Sequence, residues 1–196
     1  MFAGQLNSGI NAAWVLTYLS ERPEWQQKVR EQIEFVAAKH CPGSPLSLLE
    51  QLCSLPMSVW ETEFPLIELC LKDSIRLQIV GAAMRRNVSG HTIKVGDALV
   101  PDGAFVTFPF ADVHQDENIY PEPEKWEPSR YLPERAEHTK KPYCFLGWGA
   151  GKHPCRKFFY DPSKLVADPL TPESRNALRQ NGASADYSVL DGHVRL

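Results

Sequence analysis

The chain has 196 residues, 43% of them hydrophobic and 23% charged, with a net charge of −3. No basic block is present, which excludes an ordinary nucleic-acid-binding surface, and the length suits one domain with room for a small second one. Five cysteines, an odd number with no CxxC spacing, argue against a disulfide framework or a structural zinc site and favour a reducing compartment.

In chain order, Phe2, Leu6, Ile10 and Trp14 recur at i+4 and predict a helix over 2–19, with Gly4, Gly9 and two asparagines weakening its first half. Pro23 suits the first turn of a second helix over 23–39, which carries Trp25, Val29, Ile33 and Val36 on one face. The run 41–45 reads as a loop, and a short helical piece follows near 46–53. A third long helix is expected over 63–77, with Leu66, Leu69, Cys70 and Leu77 as its apolar stripe. Asp73 interrupts that stripe where an apolar residue is due. Exposed apolar faces are expected on the helices at 2–19 and 63–77.

Residues 83–110 change to a β period broken at Ser89-Gly90, Gly96-Asp97 and Pro101-Asp102-Gly103, which predicts two linked hairpins. A Pro-rich, charged meander over 111–144 comes next, and long segments of this kind tend to be functional or well pinned. The tail from Lys157 onward is broken by Asp161-Pro162, Asp168-Pro169 and Thr171-Pro172, and reads as disordered over 157–196. No apolar run reaches the ~18 residues that a membrane span requires, and no secretory leader is visible.

The richest stretch is Phe145-Leu146-Gly147-Trp148-Gly149-Ala150-Gly151-Lys152-His153-Pro154-Cys155. Glycines at every second position permit a tight loop lying close to a flat ligand, and the run ends on one cysteine. A lone thiolate behind such a loop suits haem iron better than zinc, which takes a fuller set of N and S ligands. The plain alternative is a glycine turn followed by a buried free cysteine. Lys152 and His153 are placed to hold a propionate. Asp73 and Arg76 at i, i+3 are by themselves an everyday pair. On an apolar stripe, however, a carboxylate needs full pairing, and Arg130 in Trp126-Glu127-Pro128-Ser129-Arg130-Tyr131 offers a second guanidinium.

Taken in order, four segments resemble the C-terminal half of a cytochrome P450, over residues 1–156. Ala3-Gly4-Gln5-Leu6-Asn7-Ser8 resembles the oxygen-binding stretch of the family's central helix, and Asp73-x-x-Arg76 its Glu-x-x-Arg. Trp126-x-Pro128-x-Arg130-Tyr131 is similar to the aromatic-Pro-x-Arg-Phe segment, and Trp148 to Cys155 resembles the haem-binding loop. The wording is fungal in type, with a distant likeness to sterol 14-demethylases.

The resemblance implies a mainly α fold with a small β part, α+β, as a partial P450 domain. It implies haem b with Cys155 as iron ligand, His153, Trp148, Gly149 and Gly151 around it, and Arg85 or Arg86 as a further propionate contact. It implies Ala3, Gly4, Asn7 and Ser8 at the oxygen pocket, and Asp73, Arg76 and Arg130 as a buried triad. The implied activity is insertion of one oxygen atom into an apolar small molecule such as a sterol, lipid or secondary metabolite. The implied partners are NADPH-cytochrome P450 reductase and that substrate, with no nucleic acid. The implied compartment is the cytosolic face of the endoplasmic reticulum membrane, although the chain carries no anchor.

Three departures qualify this. The family has an acid and then Thr, a proton relay, where this chain has Leu6 and Asn7. An amide hydrogen-bonds without shuttling a proton as a hydroxyl does, and Ser8 is the neighbouring hydroxyl. Asn7 therefore opens a second expectation, a haem-thiolate isomerase or dehydratase of hydroperoxides that needs no reductase. Asp73 replaces Glu, one methylene shorter. Lys157 stands where the family has Gly and then an apolar helix. With the family's N-terminal half also missing, a third expectation is a truncated, haem-free, inactive fragment.

Overall fold

The computed structural model describes residues 2–150 and the backbone of 194–195. Helices dominate, and a small antiparallel sheet completes an α+β fold. The chain divides into two compact units, 1–78 with 115–140, and 79–114 with 141–196. The expectation of disorder over 157–196 falls, apart from 194–195, outside the described residues, as do the positions from Gly151 to Cys155.

The first unit is built from helices α1 (Phe2–Glu21), α2 (Pro23–His40), α3 (Leu48–Ser54), α4 (Met57–Thr62) and α5 (Pro65–Gln78). Pro23 occupies the first turn of α2 as expected, where its missing N–H costs nothing. Ser47 and Glu50 form a reciprocal capping box that starts α3. One cluster joins Leu19, Trp25, Val29, Cys70 and Trp126, and a second joins Val36, Leu55, Val59 and Phe64. The predicted stripe of α2 is the buried one, with Trp25, Val29 and Val36 all in these clusters.

The predicted stripe of α1 behaves differently. Val15, Tyr18 and Leu19 meet the core, whereas Leu6, Ile10 and Trp14 are 58%, 46% and 37% exposed. On α5 the expected exposed face is covered: Cys70, Asp73, Ser74, Ile75 and Arg76 are buried, and Leu66 and Leu77 pack on the cluster around Trp25. The six-residue α4 is unforeseen, because so short a helix shows no periodic stripe.

In the second unit, strands β1 (Ala82–Asn87), β2 (Ile93–Val95), β3 (Ala98–Val100) and β4 (Phe105–Pro109) precede a short helix, α6 (Phe110–His114). A two-residue strand, β5 (Val194–Arg195), pairs with β1 on the side away from β4. The expectation of two linked hairpins is corrected. β2 and β3 form one hairpin, and it sits inside a longer one in which β1 pairs with β4, Ala82 opposite Pro109 through Arg86 opposite Phe105. Asn87 explains the nesting. Fully buried, it donates its amide to the carbonyls of His91 (2.9 Å) and Val100 (3.0 Å), while its backbone pairs with Gly103 and Ala104. The Ser89-Gly90 and Pro101-to-Gly103 turns are thereby tied together, and Gly90 N–H donates to Asp102 Oδ1 at 2.9 Å.

Candidate functional site

Asp73 is the polar centre of the first unit. It is wholly buried, as are the side chains of Arg76 and Arg130 to within 1%. Being three residues along one helix from Asp73, Arg76 reaches back to the carboxylate, with Nε 2.7 Å from Oδ1 and Nη2 3.4 Å from Oδ2. The same carboxylate accepts the Glu127 N–H and the Tyr131 hydroxyl, the latter at 3.2 Å. Burial works against the charge of Arg76, but the hydrogen bond and charge of Asp73, with smaller help from Tyr131 and Tyr120, outweigh it and raise the guanidinium pKa. Burial and then the Asp73 charge push the Tyr131 phenol well up, so it stays a protonated donor. The same two causes push the Cys70 thiol up to about 12.

The meander wraps its carbonyls round the two guanidiniums. Arg76 donates to Pro123 O and to Lys125 O (3.1 Å), and stands over the Tyr120 ring at 5.0 Å. Arg130 donates to Pro121 O, to Glu122 O at 2.6 Å and to Lys125 O at 3.2 Å. Glu122 adopts φ 51°, a left-handed conformation unusual for a side-chain-bearing residue and held here by these contacts. Trp126 closes the top: Nε1 donates to Ser74 Oγ at 3.0 Å, and the ring stacks on Tyr18 at 5.4 Å.

The structure thus brings Asp73, Arg76 and Arg130 together, but unequally. Arg130 Nε stands 4.0 Å from Asp73 Oδ1, beyond hydrogen-bond reach, as a shortened acid would leave it. A residue that sequence reasoning missed takes up the slack. Glu137, 3% exposed, accepts Arg130 Nη1 at 3.0 Å and Arg135 Nε at 2.9 Å. It lies seven residues from Arg130, but the two sit in separate short turns, Pro128–Tyr131 and Glu137–Thr139, so no continuous helix marks them as partners.

Of the residues expected at the oxygen pocket, Ala3, Gly4, Asn7 and Ser8 all lie on α1. Asn7 and Ser8 are exposed, and the Asn7 carbonyl accepts Asn11 Nδ2 at 2.9 Å.

In the second unit the glycine loop opens at Leu146, which is 5% exposed. Its N–H donates to His114 Nε2 at 2.9 Å, and its carbonyl accepts the Gly149 N–H, also at 2.9 Å. Gly149 has φ 74°, which disfavours any side chain, and among the described residues no atom lies within 4 Å of where a Cβ would sit. Trp148 is half-buried. Gly151, His153 and Cys155 lie outside the described residues.

Arg85 and Arg86 are consecutive in β1 and therefore point to opposite faces. The Arg86 side chain donates to Gly103 O at 3.2 Å and lies over Phe105 at 5.8 Å, while half-buried Arg85 donates to Met84 O at 3.0 Å. The two are not interchangeable as contacts for one anion.

A family model for cytochrome P450 matches residues 1–156. Among curated relatives, cytochrome P450 monooxygenase AacuE of Aspergillus aculeatus is 35% identical over 157 residues, which cover 79% of this chain and 31% of the relative. Cytochrome P450 monooxygenase nsrP of Aspergillus novofumigatus is 36% identical, over 79% of this chain and 30% of the relative. Cytochrome P450 monooxygenase dmxR5 of a Cryptosporiopsis species is 36% identical, over 76% and 28%. The chain belongs to the cytochrome P450 family. It spans a little under a third of the length of these relatives.

That family implies haem. Among the described residues no cluster of His, Cys, Asp and Glu is arranged to hold a metal ion. Four cysteines there are free, and the thiol of one, Cys70, is held protonated far above neutrality. Cys155, the ligand expected from the family resemblance, lies outside the described residues. Also among the described residues, no helix is long and apolar enough to cross a membrane.

Proposed function

We propose that this chain carries the haem-thiolate part of a monooxygenase, with Cys155 as ligand to the iron of haem b. The observation that supports this most is the glycine loop: a buried, doubly hydrogen-bonded Leu146 leading through left-handed Gly149 toward one cysteine. When bound, the haem supplies the activation of molecular oxygen, and its thiolate ligand donates electron density to the iron. The chain's own residues hold and orient it. His153 and one of Arg85 and Arg86 would pair with its propionates, and Trp148, Gly149 and Gly151 of the loop would lie against it, the glycines letting backbone come close. By resemblance to the family, Ala3 and Gly4 on α1 would line the oxygen pocket. Ser8 would supply the hydroxyl in place of the relay threonine, and Asn7 beside it can hydrogen-bond but cannot pass a proton. Asp73, Arg76, Arg130 and Glu137 keep the meander fixed on α5.

The substrate class we propose is an apolar small molecule, such as a sterol, lipid or secondary metabolite. Electrons come from NADPH-cytochrome P450 reductase at the cytosolic face of the endoplasmic reticulum. Residues 1–156 form the catalytic-family domain, and 157–196 lie beyond it. Asn7 in place of the relay threonine favours a second reading, isomerisation or dehydration of a hydroperoxide. Turnover of the haem-loaded protein separates the two. Product formation that requires oxygen, NADPH and reductase supports the monooxygenase, and turnover of a fatty-acid hydroperoxide with no reductase overturns it in favour of the isomerase.

A further inference from the structure

The glycine loop is held at its first residue by a side chain that none of the sequence motifs contains. His114 ends α6, is 0% exposed, and accepts the Leu146 N–H through Nε2 at 2.9 Å. Its ring stacks on Phe145, with centroids 5.5 Å apart and planes 24° from parallel. A backbone N–H can only donate, so Nε2 must present a lone pair, and the ring is neutral with its proton on Nδ1. Leu146 thus has both backbone groups committed, its N–H to His114 and its carbonyl to Gly149. A purely packing role would leave the identity of the ring free, because phenylalanine stacks on Phe145 as well. The acceptor is what only a histidine-like group provides, and without it the buried Leu146 N–H is left unpaired.

We propose that His114 is a positioning residue for the haem loop: by accepting the Leu146 N–H it fixes where the loop departs toward Cys155. This rests on the assignment of Cys155 as iron ligand, and the experiment separates the two. In the full chain, ¹⁵N spectra of the His114 ring should show an unprotonated Nε2 coupled across the hydrogen bond to the Leu146 amide nitrogen. A protonated Nε2 overturns the proposal. H114F should speed exchange of the Leu146 amide about tenfold, the loss of one hydrogen bond, while the Asn87 amide in the same unit stays protected. After haem loading, H114F should lose the thiolate-type band of the reduced carbon-monoxide spectrum, and H114Q, whose carbonyl can take over as acceptor, should restore both readouts. Unchanged Leu146 exchange, or an undiminished band in H114F, overturns the proposal. If the Asn87 amide shows that H114F has unfolded, H114Q decides: protection and band retained support it, and a folded H114Q lacking both overturns it. A wild-type protein with no thiolate band defeats the Cys155 assignment, while the ring tautomer and amide exchange still decide whether His114 holds the loop.

Discussion

Replacing Asp73 by asparagine strikes the centre of the meander lock. The carboxylate accepts two Arg76 contacts at 2.7 and 3.4 Å, the Glu127 N–H and the Tyr131 hydroxyl, all around a wholly buried carbon skeleton. Asparagine keeps one carbonyl acceptor but turns an NH₂ toward donors that need an acceptor, and it leaves Arg76 buried without a counter-charge. Each lost charge-assisted hydrogen bond costs about 1.5–3 kcal/mol, and breaking a buried ion pair from one side costs about 3–5 kcal/mol. The expected loss is therefore about 4 kcal/mol, a large share of the ~5–15 kcal/mol that stabilises a typical domain. With a urea m-value of about 2 kcal/mol/M, the midpoint should fall by about 2 M. Urea unfolding of wild type and D73N, followed by far-UV circular dichroism and tryptophan fluorescence, measures this. A shift below about 0.5 M, or roughly 1 kcal/mol, would refute the view that the carboxylate neutralises buried guanidinium charge.

Glu137→Gln should destabilise by about 2–3 kcal/mol in the same assay, since among the described residues it removes the acid hydrogen-bonded to Arg130, Asp73 standing 4.0 Å away; a neutral result would make Glu137 a bystander. Trp126→Phe keeps a ring against Tyr18 but leaves Ser74 Oγ without the indole donor, at an expected cost of about 1 kcal/mol read as a midpoint shift. Acidification should act through His138, whose pKa is lowered from 6.5, first by burial and then by Lys72 against the weaker pull of Glu68. A depressed folded-state value means the unfolded chain binds the proton more readily. Stability is then full above 6.5 and declines as the pH falls through the lowered folded value. Unfolding free energies of wild type and His138→Gln across that window should differ in slope, and parallel curves would show that the ring titrates alike in both states.

Much of the helical frame was legible because local signals agreed: Pro23 and Pro65 at helix starts, and apolar residues at i+3 and i+4 on α2 and α5. The polar centre was legible for a different reason. An acid on an apolar stripe demands partners, and the meander supplied Arg130. What escaped depends on contacts between segments distant in sequence. Nesting of the hairpins turns on the amide of Asn87, which meets His91 and Val100 across two turns. Glu137 sits in a short turn of a charged stretch, and His114 ends a five-residue helix too short to show a period. On α1 the stripe itself was real, yet its first half, Leu6 and Ile10, lies exposed, because periodicity fixes a face but not what covers it.

The central claim is that Cys155 ligates haem iron, and a reduced, carbon-monoxide difference spectrum of the full chain after haem loading tests it most directly, beside Cys155→Ser. The account predicts a thiolate-type band in the wild-type protein that disappears in the serine variant. A band of equal strength in both, or none in the wild type, would contradict it.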